Sequence, residues 1–284
     1  MNYAQVSRIS SHVRVREILG LMARQKHQPL VMEVQKAVQA DPGRALCLWF
    51  LPSSVRDAAY VLLAFHNELI RALAPARSAA VAGPMAGYIR LQWWREVLEE
   101  QRKPEHVLAP AIMALVQSGQ VQRETCLKMI TAREIELEPT QDVERWMQIM
   151  RDGAGAFQQA IGELLGVQDV VTLQRLAAGG AAYGAGTMLR HWPLLAGSGR
   201  FLFPGMQEQL RQVGKTFLQE CHFKALEPRC RKAALPAVLA KRDLARGSEQ
   251  AGLPRGIGDR LAVCRAGIQA SLATIFSITP IRTE

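Results

Sequence analysis

The chain predicts an all-α fold. Apolar residues recur at helical spacing through most of the sequence, and Pro, Gly and capping residues bound the runs. No stretch alternates convincingly enough to read as a strand, and no internal repeat is present. With 284 residues, 49% hydrophobic and 21% charged, the composition is that of a folded protein. About eight to ten helices are expected, in a single domain over 36–280.

Residues 1–35 are basic and poor in acids. An Arg-rich targeting peptide, a short amphipathic membrane-contact helix and an extension without a role all fit them. Order is expected from near Glu33, and Asp41-Pro42-Gly43 reads as a turn or helix start. Positions 55, 58/59, 62, 66, 69/70 and 73 then share one helical face, with Ser53 or Ser54 as N-cap and Pro75 as the stop. Pro84 opens a second helix, with Met85, Ile89, Trp93 and Val97 on one stripe. Further helices are expected over 104–118, 121–138, 142–165, 169–192, 206–226, 228–246 and 257–276. The glycines at 179, 180, 184 and 186 fall inside a helical pattern, where close helix packing is their expected use.

Several function classes lose support. No apolar run is long enough to span a bilayer, and no secretory signal is expected. The five cysteines (47, 126, 221, 230, 264) show no C-x-x-C spacing and read as buried free thiols. No nucleophile elbow, P-loop, zinc-protease helix or dinucleotide fingerprint occurs, and the six histidines lack metal spacing. Glu134 and Glu138, one turn apart, read as solvated or Arg-paired. Adjacent Trp93 and Trp94 point about 100° apart, so one indole can enter the core while the other lies at a seam. Net charge is +10. Seven basic against two acidic residues fall in 224–246, and six against two in 1–40. Such patches suit an anionic membrane surface; a nucleic-acid partner is not expected, because no recognition module accompanies them.

Asp41-Pro42-x-Arg44, the run Leu63-Ala64-Phe65-x-Asn67-Glu68-Leu69 and Ile89-Arg90-Leu91-Gln92-Trp93-Trp94-Arg95 together resemble the squalene/phytoene synthase superfamily. Later segments continue the likeness: Ala182-Tyr183 through Leu189-Arg190, Gly199-Arg200-Phe201-Leu202-Phe203-Pro204, and Ala233-Ala234-Leu235-Pro236 with Leu239-Ala240-Lys241-Arg242. It covers about 40–275, with the IRLQWWR string its most specific piece. More narrowly, the chain looks like the branch of phytoene-synthase-like proteins related to a mitochondrial complex I assembly factor. The resemblance implies an isoprenoid-synthase-type helical bundle with a central cavity.

It also implies where catalytic ligands would stand. Active relatives hold Mg²⁺ against a diphosphate with two clusters of closely spaced carboxylates, because Mg²⁺ takes hard oxygen ligands and bridges to phosphates. The resemblance puts the first cluster's places at Ile70, Arg71 and Ala74, and the second's at His191, Leu194 and Leu195; the Asn and Gln places before it fall at Thr187 and Gly184. The seven aspartates stand instead at 41, 57, 142, 152, 169, 243 and 259, no two within two helical turns of each other. Both motifs are therefore read as degenerate, with no catalytic and no metal-binding residue expected. Phe65, His66, Glu68, Arg71, Trp93, Tyr183 and Arg190 are expected to contact the cavity or a ligand. The expected function is a non-catalytic protein assisting respiratory complex I assembly, peripheral at the cytoplasmic face of a bacterial inner membrane. Complex I subunits, the anionic membrane and an isoprenoid or other lipid are its expected partners, with no cofactor. The alternatives are a Mg²⁺-dependent prenyl-diphosphate transferase using residual Glu68, Arg71, Glu134 and Glu138, and a lipid-binding module without chemistry.

Overall fold

The computed structural model describes residues 28–73, 84–138, 142–197, 203–247 and 252–278; Ala74, Pro75, 199–202 and most of the N-terminal extension lie outside them. Among the described residues there are fourteen α-helices and no strand. The N-terminal half comprises α1 (Gln28–Ala40), α2 (Pro42–Leu48), α3 (Ser53–Arg71), α4 (Met85–Leu98), α5 (Ala109–Gln117) and α6 (Arg123–Glu136). There follow α7 (Val143–Met150), a π-helical turn Arg151–Gly155, α8 (Ala156–Leu164), α9 (Val170–Arg190) and α10 (Trp192–Gly197). The C-terminal part is α11 (Gln207–Glu220), α12 (Pro228–Ala233), α13 (Pro236–Ala245) and α14 (Ile257–Ile278).

The breaks have local causes. Asp41 caps α2, its carboxylate accepting the Arg44 amide at 2.9 Å, with Pro42 in the first turn. Ser53 and Ser54 are not caps, since α3 begins at Ser53 behind Pro52 with no side-chain cap bond. Pro110 in the first turn restarts the chain at α5, so the helix expected from 104 begins at Ala109. The run 142–165 holds the π turn, where Gly153 and Gly155 let Arg133 and the Ala177 carbonyl approach. The helix over 206–226 ends at Glu220 because His222 turns left-handed at φ 43°. Pro236 opens a new helix and divides the run 228–246. Helix α9 ends at Arg190, two residues short of the expected bound, and Pro193 lies in the first turn of α10.

Helix α9 is central, packing against α8, the π turn, α11 and α13. Its glycines are contact points. A Cβ on Gly180 would meet the Ala154 carbonyl at 2.5 Å, and one on Gly186 would meet Asp243 Cβ at 3.1 Å. One buried apolar cluster joins α1, α3–α6 and α8, and a second joins α7, α9, α11 and α13. In α4 the buried residues are Gly87, Leu91, Trp94, Val97 and Leu98; of the expected stripe Val97 is buried, whereas Met85 and Ile89 are 61% and 62% exposed. Trp94 fills the core and meets Phe65 edge-on at 5.0 Å, while Trp93 packs beside it at 84°. Four of the five cysteines are buried free thiols, and burial pushes those of Cys126 and Cys221 up to about 12.

No helix among the described residues is long and apolar enough to cross a membrane. Helix α14, however, is apolar on two opposite sides. Val263 and Ala270 face the core, whereas Ile257, Leu261, Ile268, Leu272 and Ile275 are 50–76% exposed. At about 100° per residue these five fall on one stripe, with exposed Arg260 and Arg265 on its two flanks.

Candidate functional site

A cavity of about 350 Å³ opens between α3, α6, the π turn, α9 and α10. Its apolar wall is Ile70, Leu73, Met150, Ala154, Met188, Leu194 and Leu195; its polar wall is Asp41, Arg44, His66, Arg133, Glu136, Tyr183, Thr187 and His191. Four positions named by the resemblance, Ile70, His191, Leu194 and Leu195, thus lie on one cavity, with Thr187 and Gly184 beside them.

Arg44, His66, Arg133 and Tyr183 of the polar wall are buried, while His191 is exposed. Arg44, only 2% exposed, sits between the Phe157 and Tyr183 rings at 4.5 and 4.9 Å and donates weakly to the Ala154 carbonyl at 3.4 Å. The Tyr183 hydroxyl donates to Asp41 at 2.6 Å. Arg133 is paired with Glu136 one turn along α6. Burial, reinforced by the Arg44 and Arg133 charges, holds His66 well below the usual histidine range, so its ring is neutral. Partial desolvation and then Arg190 and Arg255 lower His191 likewise. Burial, with the Asp41 carboxylate beside it, raises Tyr183 well above the usual phenol range, keeping it a donor.

Of the seven residues expected to contact a ligand, His66 and Tyr183 line the cavity; the other five do not. Phe65 points 100° away from His66 into the Trp94 contact. Glu68 is buried against Arg71 at 3.2 Å. Arg71 is half exposed and also pairs with Glu33 at 3.2 Å, binding α1 to α3. Trp93 lines a separate shallow groove with Tyr88, Ile89, Gln92, Glu96 and Arg102. Arg190 turns to Asp243 at 3.2 Å and to the Leu253 carbonyl. Glu134 is held by Arg95 at 2.6 Å, and Glu138 accepts the Tyr88 hydroxyl at 2.9 Å.

The sequence reading missed Arg133 and Glu136 and gave Asp41 and Arg44 no site role. Their Asp-Pro-x-Arg cap was legible; that it closes a cavity with α9 depends on contacts more than 100 residues apart. Among the described residues no group of three or more His, Cys, Asp or Glu side chains could hold a metal ion. Asp41 and Glu136 are the cavity's carboxylates, and Arg44 and Arg133 already engage them. That donor set does not fit a magnesium cluster.

Comparison with known proteins bears on this geometry. No curated protein matches the chain. The crystal structure of squalene synthase HpnC from Alicyclobacillus acidocaldarius superposes with a TM-score of 0.60 at 13% identity, covering 78% of this chain and 94% of that one. A dehydrosqualene synthase in complex with ligand gives 0.62 at 11% identity, covering 87% and 99%. At such identities the likeness establishes the fold: the all-α isoprenoid-synthase bundle. The squalene/phytoene synthase family model matches residues 37–216, well over half the sequence, and by that match the chain belongs to the squalene/phytoene synthase family.

Proposed function

We propose that this family member keeps the cavity without metal-dependent prenyl transfer, and assists assembly of respiratory complex I at the cytoplasmic face of the inner membrane. The observation that carries the first part is the cavity wall itself. Ile70, His191, Leu194 and Leu195 stand where the resemblance puts metal-binding carboxylates. A diphosphate would bring about three negative charges into this space, and desolvating one unpaired ion costs several kcal/mol. Without Mg²⁺, compensation falls to Arg44 and Arg133, which already face Asp41 and Glu136. The segments adjoining these helices in sequence, 74–83 and 198–202, contain no Asp or Glu.

The second part rests on the branch resemblance and on the surface. The exposed stripe of α14 between Arg260 and Arg265 has the form of an interfacial helix face, and net charge +10 favours anionic lipid. Deleting the gene and measuring complex I activity and assembly in membranes tests the role. Reduced assembled complex is expected; unchanged complex I removes the reading. The catalytic alternative, a prenyl-diphosphate transferase, is favoured by family membership alone, and release of pyrophosphate from a prenyl diphosphate separates the two.

A further inference from the structure

Four polar atoms on the cavity residues have no hydrogen-bond partner: Arg44 Nε, Arg133 Nε, His66 Nδ1 and Thr187 Oγ1. They come from four helices, α2, α6, α3 and α9. Arg44, Arg133 and His66 are 2%, 5% and 3% exposed, so bulk water does not serve them. A buried polar atom left unpaired costs about 1–3 kcal/mol, and four such atoms on residues lining one cavity point to a polar ligand group.

The charge balance restricts that group. Arg44 and Arg133 are offset by Asp41 and Glu136, while His66 is neutral and Tyr183 remains a phenol. No surplus positive charge remains for a diphosphate. A carbonyl or carboxylate oxygen can accept from the guanidiniums and the Thr187 hydroxyl while bringing at most one charge. The same cavity is lined by apolar Ile70, Leu73, Met188, Leu194 and Leu195, and about 350 Å³ is within the range for small-molecule sites.

We propose that the cavity binds, without a metal, an apolar-chain lipid through a carbonyl-type oxygen held by Arg44, Arg133, His66 and Thr187. This rests on the non-catalytic reading of the cavity and is independent of the complex I role. Two sources share that chemistry: a neutral quinone with an apolar tail, and a fatty acid.

The test is calorimetric titration of the full chain in EDTA with decylubiquinone, with palmitate, and with farnesyl diphosphate, the last repeated with Mg²⁺. Binding of either carbonyl ligand at one per chain is expected. Thr187→Val and His66→Phe, which spare the arginines needed for folding, should each weaken it about tenfold. Arg102→Ala, in the separate groove, should leave it unchanged. Quinone binding alone assigns a neutral head, and palmitate alone a carboxylate; both outcomes support the site. Failure of both, binding indifferent to Thr187→Val and His66→Phe, or binding confined to farnesyl diphosphate overturns it. Turnover of farnesyl diphosphate would instead remove the non-catalytic reading, so the two failures are distinguishable.

Discussion

Two clusters of buried charge lie within a few turns of each other on α9, and they are built differently. Around Tyr183 and Thr187, the cavity carboxylates Asp41 and Glu136 are each paired with one arginine, and donor atoms remain unpaired. Around Arg190, each carboxylate faces several guanidiniums. Asp243 takes Arg190, Arg246 and Arg255 at 3.2, 2.7 and 2.8 Å, and Asp259 takes Arg242 at 2.6 Å and Arg246 as well. The second cluster ties α14 to α9 and α13; its charges face one another, although Asp243 Oδ2 and Arg255 Nη1 make no hydrogen bond of good geometry. The first leaves donors at a cavity. Similar residue types thus form a closed charge network in one place and a cavity wall in the other, and the difference lies in how many arginines each carboxylate meets and in whether a cavity adjoins them.

The largest expected effect comes from breaking the architectural cluster. Asp243→Ala leaves buried Arg190 and part-buried Arg255 without their carboxylate and Arg246 with Asp259 alone, and should cost about 3–5 kcal/mol. Urea unfolding would measure the loss, and hydrogen exchange should show α14 released first. Next is Gly180→Ala, whose Cβ would strike the Ala154 carbonyl at 2.5 Å. Overpacking of this kind costs about 1–3 kcal/mol, read as a lowered melting temperature.

The clusters also differ in pH response. His66 and His191 have folded pKa values below their unfolded ones, so the unfolded state binds more protons as acid is added. Their contribution is complete above the ordinary value of 6.5 and is lost as pH falls below it. Asp259 behaves likewise at lower pH. Burial raises it, but hydrogen bonds from Arg246 and Arg242 outweigh burial and hold it at about 2, so its contribution is lost only as pH drops from 3.8 towards 2. Chemical denaturation between pH 7.5 and 5 should show a falling stability that His66→Phe flattens. Arg71→Ala should have the smallest effect, under about 1 kcal/mol, because that half-exposed residue makes surface ion pairs.

The helical class and most helix positions were legible in the sequence because apolar period and Pro/Gly punctuation act locally. Pro236 and the Gly153–Gly155 π turn blurred into longer runs because a continuous apolar face conceals a break. The site was legible in part. Ile70, His191, Leu194 and Leu195 reach one cavity, as do His66 and Tyr183. Arg71, Trp93 and Arg190 do not, because one residue along a helix turns a side chain by about 100° and local ion pairs then capture the arginines. Arg133 and Glu136 escaped notice because an i,i+3 pair looks the same on a solvated face as on a cavity wall.

The most direct measurement of the central claim is pyrophosphate release by the purified full chain with Mg²⁺ and farnesyl or geranylgeranyl diphosphate. The account predicts no release above the protein-free control and no condensed prenyl product. Sustained turnover at ordinary enzyme rates would contradict it, and would require metal ligands outside the paired Asp41 and Glu136.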